Sequence, residues 1–219
     1  MDGLDIRQRP APALVAAGAL LAGFAILAIL VALRPADPPL LGRLDRGWQE
    51  VALGAAGWVR TASEALKALG SGFVMVPLRL LVAGWLLVRR RHADLAAWLL
   101  AWAVADALTF VLKPGIGRLR PDGADATSFP SGHAKTAAQV AFGLALLATA
   151  QWPRRWTVTG TAWLTASAWV VAMAISRTVL DEHWLSDVVA GSMLGAACSL
   201  GAFAVVGATL GRRASPQPS

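Results

Sequence analysis

Residues 11–33 read APALVAAGALLAGFAILAILVAL, a run without a single charged side chain. A helix needs about 20 apolar residues to cross the roughly 30 Å hydrocarbon core of a bilayer. Arg7 and Arg9 precede the run, as basic residues precede the core of a secretory signal peptide. The apolar stretch is longer than a typical signal core, however, and no small-residue cleavage site follows it. We therefore interpret it as a retained membrane span.

The rest of the chain has the same character, since 56% of its 219 residues are hydrophobic and only 15% are charged. So few charged side chains cannot cover an apolar core of that size, which excludes an ordinary soluble domain. We predict an all-α polytopic membrane protein, a bundle of six transmembrane helices forming a single domain over residues 1–219. The spans are predicted at 11–33, 71–88, 95–112, 133–150, 157–175 and 188–210.

The segment between the first two predicted spans differs from its neighbours. Residues 50–69 mix Val, Leu, Ala and Trp58 with Arg60, Glu64 and Lys67. Such a mixture is typical of an amphipathic helix. We predict a helix here that lies along the membrane surface or caps the bundle.

The basic residues indicate an orientation in the membrane. Six spans would place both termini on one face, and each face then carries nine lysines and arginines. On the face opposite the termini, five of the nine lie in a long loop that also carries acidic residues, and the other four lie in the polar clusters described next. Because short basic flanks set orientation, we predict cytoplasmic termini. The same clustering between apolar runs argues against a nucleic-acid partner, despite a net charge of +7.

Two polar clusters follow the third predicted span. Lys113, Arg118 and Arg120 lie among glycines and prolines that end the helix and allow the chain to fold back around an anion. Residues 128–133, SFPSGH, then open the fourth span, where free backbone amides and the positive end of the helix dipole favour phosphate. Each cluster alone has an ordinary explanation, as a basic turn or as a helix cap.

A third cluster consists of Ser176, Arg177, His183 and Asp187. His183 and Asp187 are four residues apart, so in a helix they share a face, and the carboxylate leaves one ring nitrogen bare and nucleophilic. The two spans between His133 and Ser176 cross the membrane and return, which brings all three clusters to one face. Their cations would repel one another without a strongly anionic ligand, and phosphate fits that requirement.

The three clusters resemble the signature of the type 2 phosphatidic acid phosphatase family. Its parts are Lys-x6-Arg-Pro, Pro-Ser-Gly-His and Ser-Arg-x5-His-x3-Asp. They match residues 113–121, 130–133 and 176–187 without a gap. The resemblance implies a metal-independent hydrolase without cofactors that acts on membrane lipid phosphates through a phosphohistidine.

The resemblance also implies a role for each matching residue. His183 would attack phosphorus, Asp187 would orient it, and His133 would protonate the leaving oxygen and later activate water. The remaining positions of the signature would hold the phosphoryl oxygens, namely Lys113, Arg120, Arg177, Ser131 and Gly132. Arg118 lies inside the first motif without being one of its defining positions and is expected to support the site. Asp106, two helical turns before Lys113, is expected to help hold that lysine.

The sequence leaves the substrate open among undecaprenyl diphosphate, phosphatidylglycerol phosphate and phosphatidic acid. It also leaves open a phosphotransferase, or a lipid-phosphate transporter or flippase that uses the same pocket. An intramembrane serine hydrolase built on Ser131, His183 and Asp187 would leave the cations unexplained and lacks a Gly-x-Ser-x-Gly elbow. With cytoplasmic termini, we expect a site on the outer face of a bacterial inner membrane. The sequence gives no indication of oligomeric state.

Overall fold

The computed structural model describes residues 10–33, 39–152 and 155–213. Within these ranges the chain is all-helical, as predicted, and contains no strand. The helices are α1 (Ala11–Ala32), α2 (Pro39–Leu53), α3 (Gly57–Gly70), α4 (Gly72–Val88), α5 (His92–Ile116), α6 (Gly132–Gln151), α7 (Trp156–Val179) and α8 (Leu185–Arg213).

All six predicted spans fold as helices, but they do not all qualify as spans by length and apolarity. Within the described ranges, α1, α5, α7 and residues 185–209 of α8 qualify, and α3 with α4 forms a fifth candidate, bent by 48°, if the pair is taken as one span. The 17 residues of α4 are too few by themselves. Helix α6 does not qualify because it contains the polar residues Lys135, Gln139 and Thr149. These side chains are buried against protein, so they need not face lipid. The count of six spans therefore stays a prediction.

The single amphipathic helix predicted over 50–69 is two helices, α2 and α3. They separate at Gly54, and Ala56 before α3 has an extended backbone. Both helices pack on the end of α7, and α2 also contacts α8. Trp48 of α2 donates a hydrogen bond to Thr178 at 2.9 Å. These contacts place α2 and α3 against the end of the bundle, and whether the pair lies along the membrane surface or caps the bundle stays a prediction.

Two glycines allow α6 and α8 to pack with their backbones in close contact. A Cβ atom at Gly191 would lie 2.5 Å from the carbonyl oxygen of Ser131, and one at Gly195 would overlap the carbonyl oxygen of Lys135. This Gly-x-x-x-Gly spacing lets helix backbones approach closely in a membrane. The approach places the start of α6 against the start of α8, where the amide of Ser131 donates to the carbonyl of Asp187 at 3.1 Å.

A second polar contact inside the bundle joins α4, α5 and α6. Asp106 of α5 accepts from Arg79 at 3.2 Å and also pairs with Lys135 of α6. Arg79 and Lys135 are both buried, so the carboxylate offsets two charges that the apolar surroundings would otherwise disfavour. The predicted partnership of Asp106 with Lys113 is therefore replaced by one with Arg79 and Lys135.

The orientation predicted above depends in part on residues outside the described ranges. Arg7, Arg9, Arg34 and Arg154 all fall there. The cytoplasmic placement of the termini stays a prediction.

We expect Gly195→Ala to separate α6 from α8, because the new methyl group overlaps the Lys135 carbonyl. Overpacking of this kind costs about 1–3 kcal/mol. We expect the variant to show a lower melting temperature in detergent and a loss of activity. Gly160→Ala in α7 is the matched control, since a Cβ atom there meets nothing within 4 Å. Equal melting temperatures for the two variants would contradict the role of the glycine contact.

Candidate active site

The structure brings the three predicted clusters together at one end of the bundle. Lys113 lies in the last turn of α5, which ends because Gly117 adopts the left-handed backbone conformation, with a φ of 58°. The loop that follows carries Arg118, Arg120 and Ser128 to the start of α6. From the other side, the turn between α7 and α8 carries His183.

His183 and Asp187 lie side by side, although not in the direct hydrogen bond that their spacing predicted. The Nδ1 atom of His183 is 3.7 Å from Oδ2 of Asp187. The Ser128 hydroxyl lies between them, 3.4 Å from that Nδ1, and it donates to the same carboxylate oxygen. The Trp184 amide also donates to this oxygen, at 3.0 Å. The side chains of Ser128, His183 and Asp187 are all buried, so the His183 ring has a defined partner on its Nδ1 side.

Arg118 connects Asp187 to a residue that the sequence did not indicate. Its Nη1 atom donates to Asp187 Oδ1 and its Nη2 atom to Asp45 Oδ2, both at 2.6 Å. Asp45, from α2, also accepts from the amide and the hydroxyl of Ser186 at 2.9 and 2.7 Å. Asp45 is only 2% exposed. The arginine charge is thus shared by two carboxylates and is less available to a substrate than its position in the motif suggests.

Arg177 is the predicted phosphate ligand with the most unused hydrogen-bonding capacity. Its side chain is fully buried, and its Nε and Nη1 atoms have no hydrogen-bond partner in the described part of the chain. Its Nη2 atom lies against the carboxylate of Glu182. Unpaired buried donors are costly, and an anion that accepted from them would remove that cost.

The other two predicted cations flank His183 with partners of their own. Arg120 donates from Nε to Asp125 at 3.1 Å, and Lys113 donates to the carbonyl of Thr127. Hydrogen bonds from the hydroxyl and the amide of Thr127 lower the pKa of the Asp125 carboxyl, which keeps it ionised beside Arg120. The loop thereby orients the Arg120 side chain.

His133 lies in the first turn of α6, within electrostatic range of His183, Arg177 and Lys67. Its Nε2 atom is buried without a hydrogen-bond partner among the described residues. The Ser131 hydroxyl caps α6 by accepting from the amide of Ala134. Because the amide of Ser131 is also engaged, with Asp187, the Gly132 amide is the better placed of the two to meet a phosphoryl oxygen.

The surroundings of His183 favour its neutral ring. Burial lowers the pKa of the imidazole below its ordinary value of 6.5, and the charges of Lys113 and Arg120 act in the same direction. Asp187 opposes them without reversing the shift. A neutral imidazole with one nitrogen held by partners has its other nitrogen available as a nucleophile.

Sequence reasoning missed Asp45, Glu182 and a direct role for Ser128. Ser128 belongs to the second polar cluster and Glu182 directly precedes His183, so their proximity in the sequence was a usable signal. Asp45 lies 73 residues from Arg118 and 141 from Ser186 along the chain, and nothing in its local pattern marks it. Within the described ranges, no three His, Cys, Asp or Glu side chains are grouped so as to hold a metal ion.

Comparison with known protein families and sequences supports the resemblance. A family model described as the PAP2 superfamily matches residues 94–210. Over 102 residues the chain is 38% identical to a lipid A 1-phosphatase of Porphyromonas gingivalis, covering 42% of this chain but 21% of that protein. Over 143 residues it is 29% identical to phosphatidylglycerophosphatase B of Bacillus subtilis, covering 63% of this chain and 70% of that protein.

Two solved structures share the fold. One is a transmembrane PAP2-type phosphatidylglycerolphosphate phosphatase from Bacillus subtilis, with a TM-score of 0.75, 24% identity and coverage of 92% of this chain and 98% of that one. The other is LpxE of Aquifex aeolicus, with a TM-score of 0.57, 19% identity and coverage of 73% and 94%. At these identities, the likeness concerns the path of the chain.

We expect Asp45→Asn to lower the rate of phosphate release at saturating substrate by about tenfold, while KM changes little. Asp45 and Asp187 both accept hydrogen bonds from Arg118. The substitution removes the negative charge of Asp45, so Arg118 is held less firmly and the Asp187 carboxylate beside His183 loses its alignment. Steady-state kinetics on a lipid phosphate in detergent measure both parameters. Asp45→Glu should restore part of the rate because it keeps the charge.

Glu50→Gln is the matched control for Asp45, because Glu50 is an exposed carboxylate on the same helix. It should leave both parameters unchanged. A purely structural role for Asp45 would lower the melting temperature of Asp45→Asn without changing kcat in the folded fraction.

We expect the ring signals of His183 to titrate below pH 6.5, because burial and the neighbouring cations disfavour its charged form. Nuclear magnetic resonance of histidine-labelled protein in detergent measures the midpoint, and loss of the signal in His183→Ala assigns it. Above that midpoint the ring is neutral, so nucleophilic activity is retained at neutral pH and lost as the pH falls. A midpoint above 6.5 would contradict this reading of the site.

Proposed function

The chain belongs to the PAP2 superfamily, and we propose that it hydrolyses a membrane lipid phosphate or diphosphate through a phosphohistidine on His183, without a metal ion. The observation that carries the proposal is the convergence of the three polar clusters around the buried imidazole of His183. His183 is held on its Nδ1 side and lies within electrostatic range of Lys113 and Arg120. Arg177 lies within range of Arg120, and two of its nitrogens have no hydrogen-bond partner among the residues described. This arrangement combines a nucleophile with a pocket for a phosphoryl group.

In the first step, Nε2 of His183 attacks phosphorus and the bond from phosphorus to the leaving oxygen breaks. The leaving oxygen takes a proton from His133, at the start of α6. The charge that develops on the phosphoryl oxygens is stabilised by the cations and by the Gly132 amide. Asp187, held by Arg118 and Ser128, stabilises the positive charge that forms on His183.

In the second step, a water molecule attacks phosphorus and the bond from nitrogen to phosphorus breaks. His133, deprotonated by the first step, accepts the proton of that water and is restored to its starting form. Inorganic phosphate then leaves and His183 is neutral again. The two steps consume one water and need no oxidant, reductant or metal.

The substrate class follows from the relatives and from the position of the site. The chain spans 21% and 70% of the length of the lipid A 1-phosphatase and phosphatidylglycerophosphatase B that it matches, so its own substrate is a proposal. Both relatives are named for lipid phosphates. At the end of a bundle of apolar helices, the pocket can receive a head group while the hydrocarbon tail stays in the bilayer. Undecaprenyl diphosphate, phosphatidylglycerol phosphate and phosphatidic acid all meet this description.

We place the protein in a bacterial inner membrane with its site on the outer face. The placement combines the bacterial origin of the relatives with the distribution of basic residues in the sequence. A cysteine introduced in the exposed loop at Gly123 can be tested for reaction with a membrane-impermeant reagent. Its reactivity would report directly on which side of the membrane the site lies.

We expect His183→Ala to lower phosphate release from lipid phosphates by at least about 1,000-fold, because it removes the nucleophile. The assay uses purified protein in detergent with EDTA and a panel of lipid monophosphates and diphosphates. The exposed His92 at the start of α5 provides the matched control, His92→Ala, which should keep full activity.

Quenching with alkaline detergent during turnover with ³²P-labelled substrate should trap label on the wild-type protein that is stable to alkali and labile to acid, and none on His183→Ala. No release from any lipid by the wild type would overturn the proposed hydrolysis, and release that needs added metal would overturn the mechanism. Retained lipid movement across vesicles by His183→Ala would point instead to a transporter.

A further inference from the structure

Glu182 occupies a position between two cations at the edge of the pocket. One of its carboxylate oxygens lies 2.5 Å from Nζ of Lys67, and the other lies against Nη2 of Arg177. The Arg177 side chain is 0% exposed, whereas the Lys67 side chain is 43% exposed. One carboxylate thus joins a buried phosphate ligand of the predicted site to a partly exposed cation of α3.

The contact with Arg177 leaves that arginine with capacity for a second anion. Its Nε and Nη1 atoms have no hydrogen-bond partner among the described residues. A phosphoryl group carries more charge than a carboxylate and fits the planar guanidinium in two-point contact. We therefore expect bound phosphate to take the place of Glu182 on Arg177, while Glu182 stays with Lys67.

Lys67 lies near His133, the proposed donor of a proton to the leaving group. The His133 ring interacts with the backbone of Lys67, and its Cδ2 atom lies close to Gly70, three residues further along α3. In the proposed mechanism, His133 protonates the leaving oxygen, so the groups around it face the part of the substrate that departs. An ammonium has three donors, so Lys67 can hold Glu182 and still donate to a second anion.

We propose that Lys67 binds the second phosphate of a lipid diphosphate and so favours diphosphates over monophosphates as substrates. The inference rests on the hydrolase function proposed above. With a diphosphate, His183 bonds to the terminal phosphorus and the bond from that phosphorus to the bridging oxygen breaks. The proton of His133 goes to the bridging oxygen, and the lipid monophosphate departs. Lys67 then faces the charge of the departing phosphate.

With a monophosphate, the leaving group is an alcohol and offers Lys67 no anion. Lys113, Arg120 and Arg177 meet the terminal phosphoryl group in both cases, so they do not distinguish the two substrates. Lys67, which comes from helix α3 and lies outside the signature, is the cation placed to do so.

The test compares farnesyl diphosphate with farnesyl monophosphate, which share one hydrocarbon chain, in wild type and Lys67→Met. We expect kcat/KM for the diphosphate to fall by about tenfold or more, the effect of one charge-assisted hydrogen bond, while the monophosphate changes by less than about threefold. Lys67→Arg should restore the preference because it keeps the charge. Arg60→Met, an exposed cation on the same helix, should change neither substrate.

A binding measurement separates recognition from catalysis and from folding. By titration calorimetry, Lys67→Met should weaken the binding of inorganic pyrophosphate about tenfold and leave that of inorganic phosphate nearly unchanged. Equal losses for both substrates and both anions would overturn the role of Lys67 and leave the hydrolase function standing. No phosphate release by the wild type from either lipid would instead overturn the function on which the inference rests.

Discussion

The arrangement of the whole site depends on how closely α6 can approach α8. Gly191 and Gly195 present bare backbone to α6, so that its first turns lie directly on α8. The amide of Ser131 consequently reaches the carbonyl of Asp187. A larger side chain at either glycine would separate the helix that carries His133 from the one that carries Asp187. A steric constraint inside the bundle thus sets the distance between the two helices that carry these residues.

The site also requires ion pairs that hold its buried charges in place at the edge of an apolar bundle, and these ion pairs form its framework. Asp187, Arg118 and Asp45 form a chain of short ion pairs from α8 through a loop to α2. Each charge has a partner, which is how buried ionised groups remain tolerable. Arg177 departs from this pattern, because in the described part of the chain it pairs with Glu182 while its Nε and Nη1 atoms have no hydrogen-bond partner. Buried Arg79 also has two unpaired nitrogens, but Arg177 differs in its position beside the motif histidines, where an anion can reach it.

Helices α2 and α3 contribute more to the site than their amphipathic sequence suggests. Asp45 holds Arg118 and the start of α8, while Lys67 reaches the acidic residue beside the nucleophile. Both come from the segment between the first two apolar runs. The framework and the substrate preference that we propose therefore depend on residues outside the signature.

The apolar runs and the three polar motifs could be identified from the sequence, because both depend on local patterns. A long apolar run predicts a helix by its composition, and Lys113, His133, Arg177 and His183 are recognisable from their spacing. The sequence alone could not separate α2 from α3, assign Asp106 to Arg79 and Lys135, or place Asp45 beside Arg118. The contacts of Asp106 and Asp45 join residues 27 to 73 positions apart, so only the packing of the helices determines them. The residues able to take part in catalysis and phosphate binding were thus evident from the sequence. Their partners were decided by the tertiary structure, because electrostatic and steric contacts depend on distance in space.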